Sequence, residues 1–286
     1  MKQWPSDGIA GTREILFYQE FGGDPGIRVP KCYQASLDVE NRRGLLILED
    51  LTTCEQGDCL QLLDVERASL LARSLARFHL HWWNHERLRN TAWIPSVTQV
   101  WRGADWFTSR REEFLSRFQD RLLPACRALF ECIEAVEKRS NTLLADLPET
   151  LLHGDLHLDN VMFEDGGTSP VILDWARVCR GPAALDLCEL AFGMVEADKI
   201  DAVLTAYASE FDKNDLSVSY ETTIAKGLTG ALLRKFITST CGIVRWNPDT
   251  QRKQKLIDAA ISGIQTSTLA WRERCLLYTS PSPRDS

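Results

Sequence analysis

The segment His153-Gly154-Asp155-Leu156-His157-Leu158-Asp159-Asn160 lies between the apolar runs "TLL" and "VMF", at the mouth of a predicted strand. An aspartate, an asparagine five residues on and two nearby histidines admit three readings. Imidazoles and carboxylates can share zinc in a metal hydrolase. A carboxylate followed by an amide oxygen can orient an attacking hydroxyl and hold magnesium during phosphoryl transfer. Asp and Asn can also do no more than satisfy turn amides.

Asp174 weighs against the bare turn. "NVMF" and "VILDW" read as two strands of a hairpin closed by "EDGGTSP". Folding that hairpin brings Asp155, Asn160 and Asp174 together. Phosphoryl transfer from ATP needs a carboxylate to take the hydroxyl proton and hard oxygen donors to hold magnesium against the phosphates, and these three residues supply both. The interval from Asp155 to Asn160 also matches the protein-kinase catalytic loop, H-R-D-L-x-x-x-N. Zinc would need further ligands. Only His79, His81 and His85 remain, on the predicted helix of "FHLHWWNH", where His81 and His85 are i,i+4. Such a segment is more often a helix packed through its aromatics with histidines at its rim.

The elements that must position these residues can be read from pattern. "GTREILFYQEF" predicts a short helix with Ile15, Leu16 and Tyr18 around one face, ended by "GGDPG". "RVPKCYQASLD" and "RGLLILEDL" predict a hairpin, the second strand ending at Glu49-Asp50. "DVERASLLARSLARFHLHWWNHERL" carries apolar residues at helical spacing for about six turns. Residues 64–145 stay helical in pattern, with breaks at Pro95 and Pro124. "TLLHGD" reads as a short strand entering a loop, and beyond Pro182 the pattern is helical again. The layout is a small strand-containing lobe, a junction near Glu49 to Thr53, and a large helical lobe with a polar hairpin embedded in it.

Bulk properties bound the function. The 286 residues, 44% hydrophobic and 26% charged, suffice for one large domain or two lobes. A net charge of -7 and a pI near 5.4 argue against a nucleic-acid binder, which needs excess Lys and Arg to neutralise phosphates. Nine scattered cysteines without a C-x-x-C pair predict free thiols in a reducing compartment. No signal-like segment and no apolar run of about 20 residues is present, so a cytoplasmic protein without a membrane partner is expected. The Ser/Pro-rich end, Tyr278 to Ser286, has no core-forming pattern and is expected to be a non-native tail replacing the natural C-terminus.

"HGDLHLDN", then "ILDW" and "GPAALDLCEL", resembles the aminoglycoside phosphotransferase and choline-kinase-like family, including its ecdysteroid-kinase-like relatives. "REILFYQEF", "VPKCYQA", "LLILEDL" and "LARFHLHWW" extend the resemblance, which covers about Lys2 to Met194. It implies an α+β, protein-kinase-like two-lobed fold: 1–53 as the remnant of an ATP-binding lobe and hinge, 54–277 as the helical catalytic and substrate lobe, and 278–286 as the tail. It implies ATP and Mg2+ as cofactors and a small-molecule alcohol as acceptor. By the same resemblance Asp155 is the catalytic base, Asn160 a magnesium ligand and Asp174 the principal metal-binding carboxylate. Glu14 pairs with an ATP-contacting lysine, and Glu49, Asp50 and Leu51 form the hinge that meets adenine. His153 and Asp186 brace the catalytic loop, and His157 stabilises it.

The start of the chain departs from that pattern. A glycine-rich phosphate-covering hairpin and a lysine-bearing strand precede the Glu14 helix in the family, whereas thirteen residues stand before Glu14 here. Lys2 takes the place of the strand lysine, and the N-terminal β lobe is expected to be truncated. A catalytically impaired nucleotide-binding module therefore stays open as an alternative, as does the zinc hydrolase.

Overall fold

The computed structural model describes residues 9–38, 40, 43–100, 108–164, 166–213, 220–244 and 246–279. Lys2 and residues 280–286 lie outside them. The protein is mixed α+β and divides into two compact units, one of residues 1–100 and 148–220, the other of residues 101–147 and 221–286. The first unit opens with helix α1 (Ile9–Glu20), strands β1 (Cys32–Asp38), β2 (Arg43–Leu48) and β3 (Glu55–Gln56), and helices α2 (Val65–His81), α3 (Glu86–Asn90) and α4 (Val97–Val100). Helices α5 (Arg111–Phe118), α6 (Pro124–Glu131) and α7 (Ile133–Leu144) belong to the second. The chain returns to the first with β4 (Glu149–Leu152), β5 (Val161–Glu164), β6 (Ser169–Ile172), β7 (Cys179–Pro182), α8 (Ala184–Gly193) and α9 (Ile200–Asp212). It ends in the second with α10 (Lys226–Ile243) and α11 (Gln251–Thr279). No described helix is long and apolar enough to cross a membrane.

Helix α2 is the central support of the first unit. Asp64 caps it by accepting the Arg67 N–H at 2.9 Å, which satisfies one of the orphan donors of the first turn. Ala68, Leu71, Ala72, Leu75, Ala76, Phe78 and His79 are buried along one face at helical spacing. The helix predicted from Asp64 does not run on for six turns: it stops at His81. Asn84 adopts φ 50°, a left-handed conformation that Asn tolerates better than most residues. Its N–H bonds to the Glu149 carbonyl at 2.8 Å and its Oδ1 accepts the Glu149 N–H at 3.3 Å, tying the turn to the start of β4. His85 then opens α3, its Nδ1 accepting the Arg87 N–H at 3.1 Å. His81 and His85 accordingly do not share a helix face.

Helix α1 contributes Ile15, Phe17, Tyr18 and Phe21 to the core, with Leu16 only half-buried. Phe17 stacks on Trp175, ring centroids 4.1 Å apart and nearly parallel. Phe17 takes the place predicted for Leu16 because of that contact: the helix turns its aromatics toward Trp175, which is fully buried and is also met edge-on by Phe78 of α2.

Three small antiparallel sheets complete the first unit. β1 pairs with β2, β3 extends the β5–β6 hairpin in the order β3-β5-β6, and β4 pairs with β7. In the hairpin Val161 faces Ile172 and Glu164 faces Ser169, so Asn160 and Leu173 flank its open end. In the second unit, Phe130 of α6 packs between Phe114 of α5 and Phe236 of α10, with Ile257, Ile261 and Ile264 of α11 in the same cluster.

Strand β4 leaves its sheet through Gly154, at φ +77°. A Cβ there would stand 2.4 Å from the Arg177 carbonyl oxygen, so both the dihedral and the close approach of two backbone segments require glycine. Gly154→Ala is expected to destabilise the protein by more than about 1 kcal/mol in urea denaturation, since Ala is incompatible with the native conformation. An unchanged midpoint would show that the turn relaxes freely.

Candidate active site

The loop from His153 to Asn160 is suspended between two buried anchors. Asp186, in the first turn of α8 and 2% exposed, accepts the N–H of His153 at 2.7 Å and the N–H of Gly154 at 3.2 Å. Burial alone would push this carboxyl up, but His79, His153 and the His153 N–H favour the ionised form more strongly, and the net result lies below the usual carboxylate range. Asp186 therefore does not cap α8; it faces the loop.

His153 forms the second anchor. One ring nitrogen, Nε2, meets the Leu173 carbonyl at 2.8 Å, and the other, Nδ1, accepts the Asp155 N–H at 3.2 Å. With Nδ1 accepting, Nε2 carries the hydrogen and donates. Both nitrogens are occupied, so this imidazole has no lone pair left for a metal. The ring packs edge-on against Trp175 at 4.9 Å, which ties the loop to the residue that follows Asp174.

At the far end of the loop Asn160 is 8% exposed. Its Nδ2 donates to the Asp155 carbonyl at 3.0 Å and to His157 Nε2 at 3.2 Å. Those two contacts use both amide hydrogens and fix which way the amide points. Oδ1 is the atom of the amide that remains as an oxygen donor. The Asn160 carbonyl accepts the Leu173 N–H at 2.9 Å, which sets Asp174 one residue beyond the hairpin bond.

Asp174 adopts φ 57°, ψ 70°, a left-handed conformation costly for most side chains. Its Oδ1 accepts the Ala176 N–H at 3.4 Å, capping the short turn Trp175–Arg177. The cap occupies one oxygen of an exposed carboxylate and leaves the other available. Tyr18 of α1 is buried in the same region, with a hydroxyl that has no hydrogen-bond partner among the described residues. Burial, followed by the negative charge of Glu14, Cys32 and Asp174, pushes its phenol far up, so it stays protonated.

The Asp155 carboxylate is 37% exposed and lies 3.4 Å from Arg177 Nη1. Arg177 escaped the reading from sequence; its only signal is a basic residue three positions after Asp174. Asp159, the other carboxylate of the loop, serves the scaffold: it accepts the Cys59 N–H at 2.9 Å and contacts Cys59 Sγ at 3.2 Å.

The remaining candidates sit elsewhere in the first unit. Glu14 is buried on α1. Glu49 follows β2, its carboxylate 2.9 Å from Arg28 Nη2 and 2.9 Å from the Lys31 N–H, and its own N–H bonds to the Lys31 carbonyl. The Lys31 N–H, with Arg28 adding to it, holds this carboxyl below its ordinary range. Asp50 accepts the Thr52 N–H at 2.9 Å, and the Leu51 carbonyl accepts the Cys54 N–H at 2.9 Å. The Lys2 partner proposed for Glu14 lies outside the described residues.

The oxygen donors Asn160 Oδ1 and Asp174 are chemically suited to a hard divalent cation such as magnesium. The histidines are not gathered as a zinc site: His79 is buried, His81 ends α2, His85 caps α3, and His153 and His157 are spent on the loop.

Known proteins share this architecture. An aminoglycoside phosphotransferase from Alicyclobacillus acidocaldarius superposes with a TM-score of 0.54 at 12% identity, over 96% of this chain and 85% of that one. An ethanolamine kinase from Plasmodium vivax gives 0.53 at 15% identity, over 94% and 74%. A choline/ethanolamine kinase family protein from Mesorhizobium loti gives 0.50 at 13% identity, over 92% and 84%. At these identities the likeness establishes the protein-kinase-like fold. Residues 17–216, well over half of the chain and including the whole loop and hairpin, match the phosphotransferase enzyme family, described under the heading APH, and the chain belongs to that family.

Proposed function

We propose that this phosphotransferase moves the γ-phosphate of ATP to a hydroxyl of a small-molecule acceptor, with Asp155 as catalytic base and Asn160 and Asp174 as the magnesium ligands. The observation that carries this reading is the Asn160 amide. Its nitrogen is held by the Asp155 carbonyl and by His157, which leaves its oxygen as the donor atom, and its backbone carbonyl is bonded to the Leu173 N–H, one residue before Asp174. A turn-forming Asn has no need of that orientation.

In the proposed reaction the acceptor oxygen forms a bond to the γ-phosphorus as the bond to the β-phosphate bridging oxygen breaks, releasing ADP. The hydroxyl proton passes to Asp155 at the oxygen turned away from Arg177. Arg177 keeps Asp155 oriented between turnovers; the pair is half-exposed and contributes little to stability. Magnesium, when bound, neutralises phosphate charge that the chain's own residues would otherwise have to meet. His153, His157 and Asp186 act as supports, each holding a backbone or amide group of the loop rather than touching substrate.

Adenine is assigned to the backbone that follows β2. Since the Glu49 N–H is engaged by Lys31, the contact falls to Asp50 and Leu51. Glu14 is assigned to the ATP-contacting lysine, for which Lys2 is the candidate. The acceptor is proposed to be an amine-bearing alcohol: the fold neighbours are named for aminoglycosides and for choline or ethanolamine, and a net charge of -7 suits a cationic substrate.

Two variants test the assignments. Asp155→Asn should lower kcat by about 10²–10⁴-fold while nucleotide affinity stays within a few-fold, measured by ADP release over a panel of amino alcohols; a parental rate would remove Asp155 as base. Asp174→Ala should abolish the gain in ATP affinity that Mg2+ provides, read by titration calorimetry with and without EDTA. The same gain in both proteins would place the metal elsewhere.

A further inference from the structure

Helix α9 brings another residue to the buried cluster around Asp186. Tyr207, with 0% exposure, places its hydroxyl 2.7 Å from Nδ1 of His79, which is also 0% exposed. The other ring nitrogen, Nε2, stands 3.6 Å from Asp186 Oδ2 and has no hydrogen-bond partner within ordinary distance among the described residues. His79 is fixed through its backbone too. Its carbonyl accepts the Thr150 hydroxyl at 2.7 Å, and Thr150 lies on β4, the strand that runs into the loop.

Counting hydrogens selects one tautomer. A neutral imidazole has one N–H and one lone pair, and a phenol has one hydrogen to donate. Burial pushes the Tyr207 phenol well above its ordinary range, so that hydrogen stays in place. Among the described residues His79 Nδ1 is the hydrogen-bond partner found for it. When Tyr207 donates, Nδ1 supplies the lone pair and the ring hydrogen sits on Nε2, facing the carboxylate. The opposite tautomer would set a lone pair against a buried carboxylate and leave the phenol hydrogen without an acceptor, a costly arrangement where water is excluded.

We propose that Tyr207 is a positioning residue for phosphoryl transfer: its hydroxyl locks the ring of His79, the Nε2–H tautomer, in place, and that N–H steadies the Asp186 carboxylate on the N–H groups of His153 and Gly154. The link to catalysis rests on Asp155 being the base, since these are the two residues that precede it. Removing the hydroxyl leaves the Nδ1 lone pair without its donor in a dry pocket, so the ring is no longer held in place. Its N–H then steadies Asp186 less well, and Asp155 loses its fixed place while the substrate contacts remain.

The test uses the full chain with 15N-labelled histidine and long-range 1H–15N correlation at neutral pH, which reports which ring nitrogens are protonated. The unsubstituted protein should show His79 protonated at Nε2 only. Tyr207→Phe should keep that tautomer, because Asp186 still faces Nε2, but lower kcat about 10-fold or more, with KM for ATP and acceptor nearly unchanged. A His79 ring protonated at Nδ1, or at both nitrogens, in the unsubstituted protein overturns the proposal even if Tyr207→Phe fails to fold. So does a folded Tyr207→Phe protein with full kcat, or one whose loss lies in KM rather than kcat. Because the tautomer is read without turnover, the expected ring state in an inactive protein supports the lock and counts against the proposed reaction instead.

Discussion

The site depends on one buried carboxylate that accepts two consecutive backbone N–H groups. Asp186 sits in the first turn of α8, where the helix dipole favours a negative charge, and takes the His153 and Gly154 amides from a loop that no sheet or helix would otherwise hold. Burying a carboxylate costs several kcal/mol, and hydrogen bonds to charged groups contribute about 1.5–3 kcal/mol each. The charge is therefore tolerable only while its donors stay in place. That interdependence makes the loop rigid: a shift of either amide would leave a buried charge undersatisfied.

From this anchor the constraints pass outward in a short chain. Gly154 makes the reversal that sets Asp155 beyond the strand, and its lack of a Cβ lets the Arg177 carbonyl approach. His153 bridges the Asp155 amide to the Leu173 carbonyl, joining the loop to the hairpin. Asn160 closes the circuit through the Asp155 and Leu173 backbones. The left-handed Asp174 is the strained member, held between the hairpin and a buried Trp175 that α1 and α2 clamp with Phe17 and Phe78. Strain held in place by surrounding structure is common where a side chain must be aimed at a ligand.

Much of the architecture was legible because it rests on local pattern. The β5–β6 hairpin follows from two apolar runs around a glycine-rich turn, and α2 from apolar residues recurring on one face after an Asp cap. The end of α2 was not legible, because the turn at Asn84 is set by hydrogen bonds to Glu149, sixty-five residues away. Likewise Phe17 replaces Leu16 on the buried face of α1 through a stack on Trp175 that no helical period encodes. At the site, the types and spacing of Asp155, Asn160 and Asp174 stand out in the sequence, whereas Arg177 and Tyr207 do not. A lone arginine after a strand and a tyrosine inside an apolar helix acquire meaning only from what the fold sets against them.

The most direct test of the account is crystallographic. The protein would be crystallised with Mn2+ and a non-hydrolysable ATP analogue, and data collected at the manganese absorption edge. An anomalous peak is expected within coordination distance of Asn160 Oδ1 and the Asp174 carboxylate, with the γ-phosphate facing Asp155. Nucleotide bound with the metal away from both residues would contradict it.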